Sequence, residues 1–415
     1  MRYKKSLPYI ISALVCIAAF LAITVAIIIP SCAEESSKKL FSVKILENPI
    51  PAPSIDKTIL VYELVISNEH SELPLRLRKI GIADIGRIDQ TLAEYEGKTL
   101  VENSLIISSS LKDIKNLSEA NKYVNKPDDV NSLLKKGMSW LVFVWIEIDR
   151  DRAVPRCLIN HLIIEQESSN GDTIDVLTEN YEVNVSDKKP VVLGDPVLGG
   201  NWVCAEGPGP FSYHRRAALP IDGTLHISQR YAVDFILLGD QGKFAYGDMT
   251  KNENYYCYGK KVHAVADGTI IAVKNDAEEN AALGHPKDLS LEESEGNYII
   301  EDIGRGDYAF YCHLRFESIS VKAGYQVKRG KVIALLGNSG DSDAPHLSLR
   351  ISRGSDPTRS EGQPFVFETF KLQGKAEGDA DMTLGKWPWT PLAKPVTLNK
   401  VMPQQNSVVR FADYD

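Results

Sequence analysis

The sequence predicts an all-β protein behind one N-terminal membrane helix: an immunoglobulin-like β-sandwich followed by a C-terminal antiparallel sheet. Three observations carry that prediction. An uncharged apolar run fills residues 7 to 30, just after Arg2, Lys4 and Lys5. Short runs of branched and aromatic residues, bounded by Gly, Pro and Asn turns, recur between Phe41 and Leu372. Two histidine segments, Tyr311-Cys-His-Leu314 and Pro345-His-Leu-Ser348, lie in neighbouring stretches of this kind.

Taken in order, the apolar run comes first. As a helix it spans about 36 Å at about 1.5 Å per residue, enough to cross a bilayer. Positive charge before it keeps the N-terminus cytoplasmic and puts everything after residue 33 on the outer side, periplasmic or extracellular. Its length favours a retained anchor over a cleaved signal peptide. Ile29-Pro-Ser-Cys32 is an imperfect lipoprotein box, so lipidation at Cys32 is the alternative. Residues 1–32 are therefore read as anchor or signal segment.

Residues 41–190 are read as the sandwich. Thr58 to Ser67, Trp140 to Ile148 and His161 to Glu165 are strand-like, and Ser169-Asn-Gly-Asp172 is a turn signal. No catalytic constellation falls here, and His161 is expected to be structural. Prolines and glycines between Lys188 and Gly200 mark the boundary. Residues 201–372 hold the second β unit, residues 274 to 295 an exposed polar loop, and residues 373–415 an irregular tail.

Composition narrows the function. Hydrophobic and charged fractions of 43% and 25% over 415 residues are those of a globular chain. A net charge of −8 without a basic run excludes a nucleic-acid footprint. The six cysteines form no C-x-x-C pair, which excludes a zinc ribbon or thioredoxin-like centre.

The histidine segments point to a metal or acid–base site. In a strand alternate residues share a face, so His346, Ser348 and Arg350 project to one side. A hydrolytic zinc needs three His, Asp or Glu ligands and an open position for water. His214, Asp234, His313 and His346 are the candidate side chains.

Residues 201 to about 372 resemble the lysostaphin-type (LytM-like) zinc metallopeptidases, which cut peptide cross-bridges in bacterial peptidoglycan. The resemblance rests on Ser212-Tyr-His-Arg-Arg-Ala217, Gln229-Arg-Tyr-Ala-Val-Asp234, Val265-Ala-Asp-Gly268 and Gly296-Asn297. It continues through Tyr308 to Leu314, Val321-Lys-Ala-Gly324, Val327-Lys-Arg-Gly330, Gly337-Asn-Ser-Gly340 and Ala344-Pro-His-Leu347. It implies zinc as cofactor, His214 and Asp234 as ligands, and His313 and His346 as proton-transfer or transition-state-stabilising residues. The third ligand falls at Ser348.

That departure changes the chemistry. A neutral hydroxyl is a poor zinc ligand beside an imidazole. Losing one of three ligands weakens binding by roughly 4 kcal/mol or more. Arg350, on the same face, disfavours a dication and suits a carboxylate. His263 and His285 are the spare nitrogens elsewhere. Arg215 and Arg216 are expected to form a solvated face or contact an acidic peptide. Two functions follow: a zinc endopeptidase of the cell envelope acting on peptidoglycan or another extracellular peptide, and a degenerate relative that binds peptidoglycan or regulates a partner hydrolase.

Overall fold

Two eleven-residue strands, β1 (Lys57–Ser67) and β3 (Ser139–Asp149), pair antiparallel along their whole length and form the spine of the N-terminal half. One face of this sheet packs on a second sheet containing β2 (Leu75–Asp84) and β4 (Cys157–Glu167). Leu60, Tyr62 and Leu64 of β1 meet Leu77, Ile80 and Leu162 there in one core. Fully burying a side chain of this class contributes about 1.5–3 kcal/mol. The other face is buried too: Leu141 and Phe143 pack against Ala218, Leu225 and Ile227 of the C-terminal half. A sheet covered on both sides reads as a continuous apolar run rather than an alternating one, as the stretch from Trp140 to Ile146 does.

The structure is a computed structural model and describes residues 40–108, 124–129, 131–167, 174–284 and 289–413. The apolar run at 7–30, Cys32 and His285 lie outside the described residues. Among the described residues no helix is long and apolar enough to cross a membrane. Cys157, Cys204, Cys257 and Cys312 are free thiols.

The C-terminal half is built on a 12-stranded sheet. From its centre outward run β5 (Asn201–Ala205), β6 (Val233–Leu238), β10 (Leu347–Arg353), β9 (Asp307–Leu314), β8 (Asn297–Asp302) and β7 (Gly268–Lys274). On the far side of β5 lie β13 (Ser407–Arg410) and β11 (Phe365–Ala376), which also pairs with β12 (Trp389–Val401). The expectation of an irregular tail over 373–415 is therefore corrected. Its strands reach the sheet because Val408, Val409 and Phe411 are buried in the main core. On the edge strand β12, Pro391 and Pro395 lack the N–H groups that would let another chain extend the sheet.

Candidate functional site

Strand register assembles the site before any side chain is considered. Asp234 on β6 lies opposite Ser348 on β10, and Ser348 lies opposite Cys312 on β9. Directly opposed residues share a face, so these form one row across three strands. Simple alternation would then send His313, next to Cys312, to the other face. A bulge prevents this: Asn297 opposes Leu314 while Ile299 opposes Tyr311, leaving Cys312 and His313 against the single residue between. His313 takes φ of 61°, a strained region for a residue with a Cβ. Its ring comes to 4.7 Å, centroid to centroid, from that of His346.

Three imidazoles are oriented in the same way. His214 Nδ1 lies 2.8 Å from the Glu206 carbonyl, His313 Nδ1 2.8 Å from that of Ser339, and His346 Nδ1 2.8 Å from that of Ala344. A carbonyl oxygen only accepts, so each Nδ1 carries the hydrogen and each Nε2 presents its lone pair in the neutral ring. His214 Nε2 and His346 Nε2 stand 3.4 and 3.6 Å from Asp234 Oδ2. Burial raises the Asp234 pKa, but the charges of His214, His346 and His313 outweigh it and hold the carboxyl below its ordinary value. Burial, then the neighbouring His346, lower the His313 pKa to about 4, which keeps that ring neutral near pH 7.

Beside this row lies a buried ion pair. Arg350 grips Glu295 with both terminal nitrogens, Nη1 to Oε2 at 2.7 Å and Nη2 to Oε1 at 2.8 Å. The Cys312 thiol donates to Glu295 Oε2 at 2.7 Å, and the guanidinium sits 4.3 Å from the Phe310 ring centroid. Burial, then Glu295, push the Cys312 pKa well up, so it remains a thiol.

Residues 254–360 match the family described as Peptidase family M23, a span containing His313, His346, Ser348 and Arg350. The chain carries a Peptidase family M23 domain. Among solved structures, the catalytic domain of the antimicrobial peptidase lysostaphin from Staphylococcus simulans is similar at 22% identity. That likeness covers 40% of this chain and 88% of that one, with a TM-score of 0.22. A catalytic-domain variant of the prophage-encoded M23 protein EnpA from Enterococcus faecalis gives 17% identity, 41% and 92% coverage and a TM-score of 0.23. A zinc-containing peptidase from Vibrio cholerae gives 15%, 73% and 80%, and 0.21.

Zinc is the ion that the family implies, and the M23 domain of this chain does not offer it a three-ligand hydrolytic site. His214 and Asp234 supply two suitable donors. Ser348, at the position where the resemblance puts the third ligand, is buried directly opposite Asp234, and its neutral hydroxyl adds no anionic or imidazole donor. Among the described residues no group of three or more His, Cys, Asp or Glu side chains is placed to share an ion. His263 sits apart, on the separate two-stranded sheet.

The structure brings together His214, Asp234, His313, His346 and Ser348. It corrects two readings of neighbouring residues. Arg215 is fully buried and Arg216 is bonded to the N-terminal half, so neither forms a solvated face. Glu295 is also buried, although the loop it ends reads as polar and exposed. Sequence reasoning missed Glu206, whose carbonyl orients His214 and whose side chain accepts from the Tyr213 N–H at 2.9 Å. Its signal was weak: one acidic residue before Gly207-Pro-Gly-Pro210.

Proposed function

We propose that the M23 domain binds peptidoglycan peptides in its groove without cutting them through an ordinary zinc centre. The observation that carries this reading is the buried, neutral Ser348 directly opposite Asp234, at the position where the resemblance puts the third ligand. Arg350 supports it: Glu295 already neutralises the guanidinium through two hydrogen bonds, so this residue is not free to bind a substrate carboxylate. Exposed Phe211 and Tyr213, flanking the His214 turn, offer apolar area to a bound peptide. In this proposal the two-sheet N-terminal unit is an immunoglobulin-like spacer, and residues 7–30 anchor the protein with its ectodomain at the cell envelope. A partner hydrolase is the second candidate to share the groove.

Hydrolysis is the competing reading, and one observation favours it. Asp234 Oδ1 is buried with no hydrogen-bond partner, next to imidazole lone pairs on the other carboxylate oxygen. That electron-rich cluster attracts a cation. Two measurements on the purified protein separate the readings: zinc content after dialysis against a weak chelator, and co-sedimentation with purified peptidoglycan sacculi. Sacculus binding without retained zinc or released peptides supports the proposal. Stoichiometric zinc with peptide release sinks it.

A further inference from the structure

The side chains around His214 and Asp234 reach away from the groove and into the N-terminal sandwich. Helix α1 (Tyr213–Arg216) carries His214, and the next residue, Arg215, is completely buried. Its Nη2 donates to the Val144 carbonyl on β3 at 2.7 Å and its Nη1 to the Pro210 carbonyl at 3.1 Å. The guanidinium lies 5.4 and 5.6 Å from the ring centroids of Phe143 and Trp145. Arg216 bonds the Glu102 carbonyl and, at 3.2 Å, Asn103 Oδ1. Four residues before Asp234, Arg230 donates from Nε to Glu63 of β1 at 2.9 Å, and both side chains are essentially inaccessible.

A guanidinium buried on carbonyls and ring faces, with no carboxylate bonded to it, costs more in desolvation than an apolar side chain of its size. What it provides is geometry. The planar fork fixes α1 against β3 in one orientation, which a single ammonium or an apolar chain does not do. The His214 ring is oriented by its Nδ1 contact with the Glu206 carbonyl.

We infer that the N-terminal sandwich is a working part of the groove: through Arg215 and Arg216 it holds the His214 turn in place against Asp234. Both arginines are positioning residues, and the M23 domain has a complete groove only while docked on the sandwich. The inference rests on reading His214 as a groove residue, and it is independent of whether the groove binds or cuts.

The test is the carbethoxylation rate of individual histidines by diethyl pyrocarbonate on the full chain, read by peptide mass. The variants are Arg215→Lys, which keeps the charge and loses the fork, and Phe143→Leu, made wholly on the sandwich side. Exposed His161 serves as the reagent control. In Arg215→Lys, His214 should react at least about tenfold faster than in wild type, with His313 and His346 unchanged; Phe143→Leu should move His214 the same way by less. A rise in all three histidines together means general loosening and overturns the inference, as does no rise at His214. If Arg215→Lys does not fold, Arg216→Lys, at a partly exposed position, carries the same comparison. Sacculus binding is not part of this readout, so failure of the peptide-binding proposal is seen separately.

Discussion

His313 and His346 are held by carbonyls of Ser339 and Ala344, within the M23 span itself, and the nearby charge of Arg350 is answered there by Glu295. His214 and Asp234 precede that span, and the charges beside them reach into the N-terminal half: Arg215 bonds the Val144 carbonyl as well as that of Pro210, and Arg230 pairs with Glu63 as well as Glu361. One wall of the histidine cluster is thus self-contained and the other is in part borrowed. The difference is one of support: the His313 and His346 side is held by backbone of its own span, whereas the His214 turn also draws on the N-terminal half.

The largest test of this contrast joins the two walls. Ser348→His should restore zinc retention under weak chelation, from none to near one ion per chain by elemental analysis. This corresponds to roughly 4 kcal/mol or more in binding, about a thousandfold. No gain would mean that the walls are not spaced for a shared ion.

Within the self-contained wall, Arg350→Met should destabilise the protein by about 3–5 kcal/mol in denaturant titration, because it strands a buried carboxylate. The sign with pH should also reverse. Burial alone raises the Glu295 pKa, and the Arg350 charge more than offsets it, so the wild-type carboxyl sits below its ordinary value. Its contribution is present above about pH 4.3 and is lost as pH falls through the lower folded value. Without Arg350, burial should raise that pKa, and stability should instead fall as pH rises above about 4.3.

A smaller effect belongs to the opposite side of the same strands. Tyr311 Oη donates to Glu301 Oε2 at 2.5 Å, and burial raises the Glu301 pKa to about 7. A raised carboxyl contributes fully below about pH 4.3 and loses that contribution as pH climbs through 7. Glu301→Gln should remove this slope, on the order of 3 kcal/mol across the window, in melting curves taken from pH 4 to 8. An unchanged slope would place the titrating group elsewhere. The smallest effect is expected at His263→Ala, which should leave zinc content and sacculus binding where they are; a loss of either would bring that ring into the groove.

Much of the self-contained wall was legible in the sequence. The strands around His313 and His346 are local, glycine-bounded and apolar, and they place His313 in the same sheet as the strand that His346 immediately precedes. The bulge at His313 was not legible, since alternation alone puts Cys312 and His313 on opposite faces. The pairing of Glu295 with Arg350, 55 positions apart, could not be chosen from among the acidic residues of its loop. The borrowed wall was read least well. Two adjacent arginines look solvent-facing in a sequence, and only the unbroken apolar run from Trp140 to Ile146 hinted that β3 is covered on both faces.

By itself the sequence determined the β character of the chain after residue 41 and pointed to His214, Asp234, His313, His346 and Ser348 as the candidate site. These follow from residue type, period and local motif, which are properties of neighbouring positions. Tertiary structure alone decided that Ser348 lies opposite Asp234, that Glu295 occupies Arg350, and that the His214 turn leans on the N-terminal half. Those outcomes depend on which distant strands lie side by side, and on which buried polar group must find its partner across that contact.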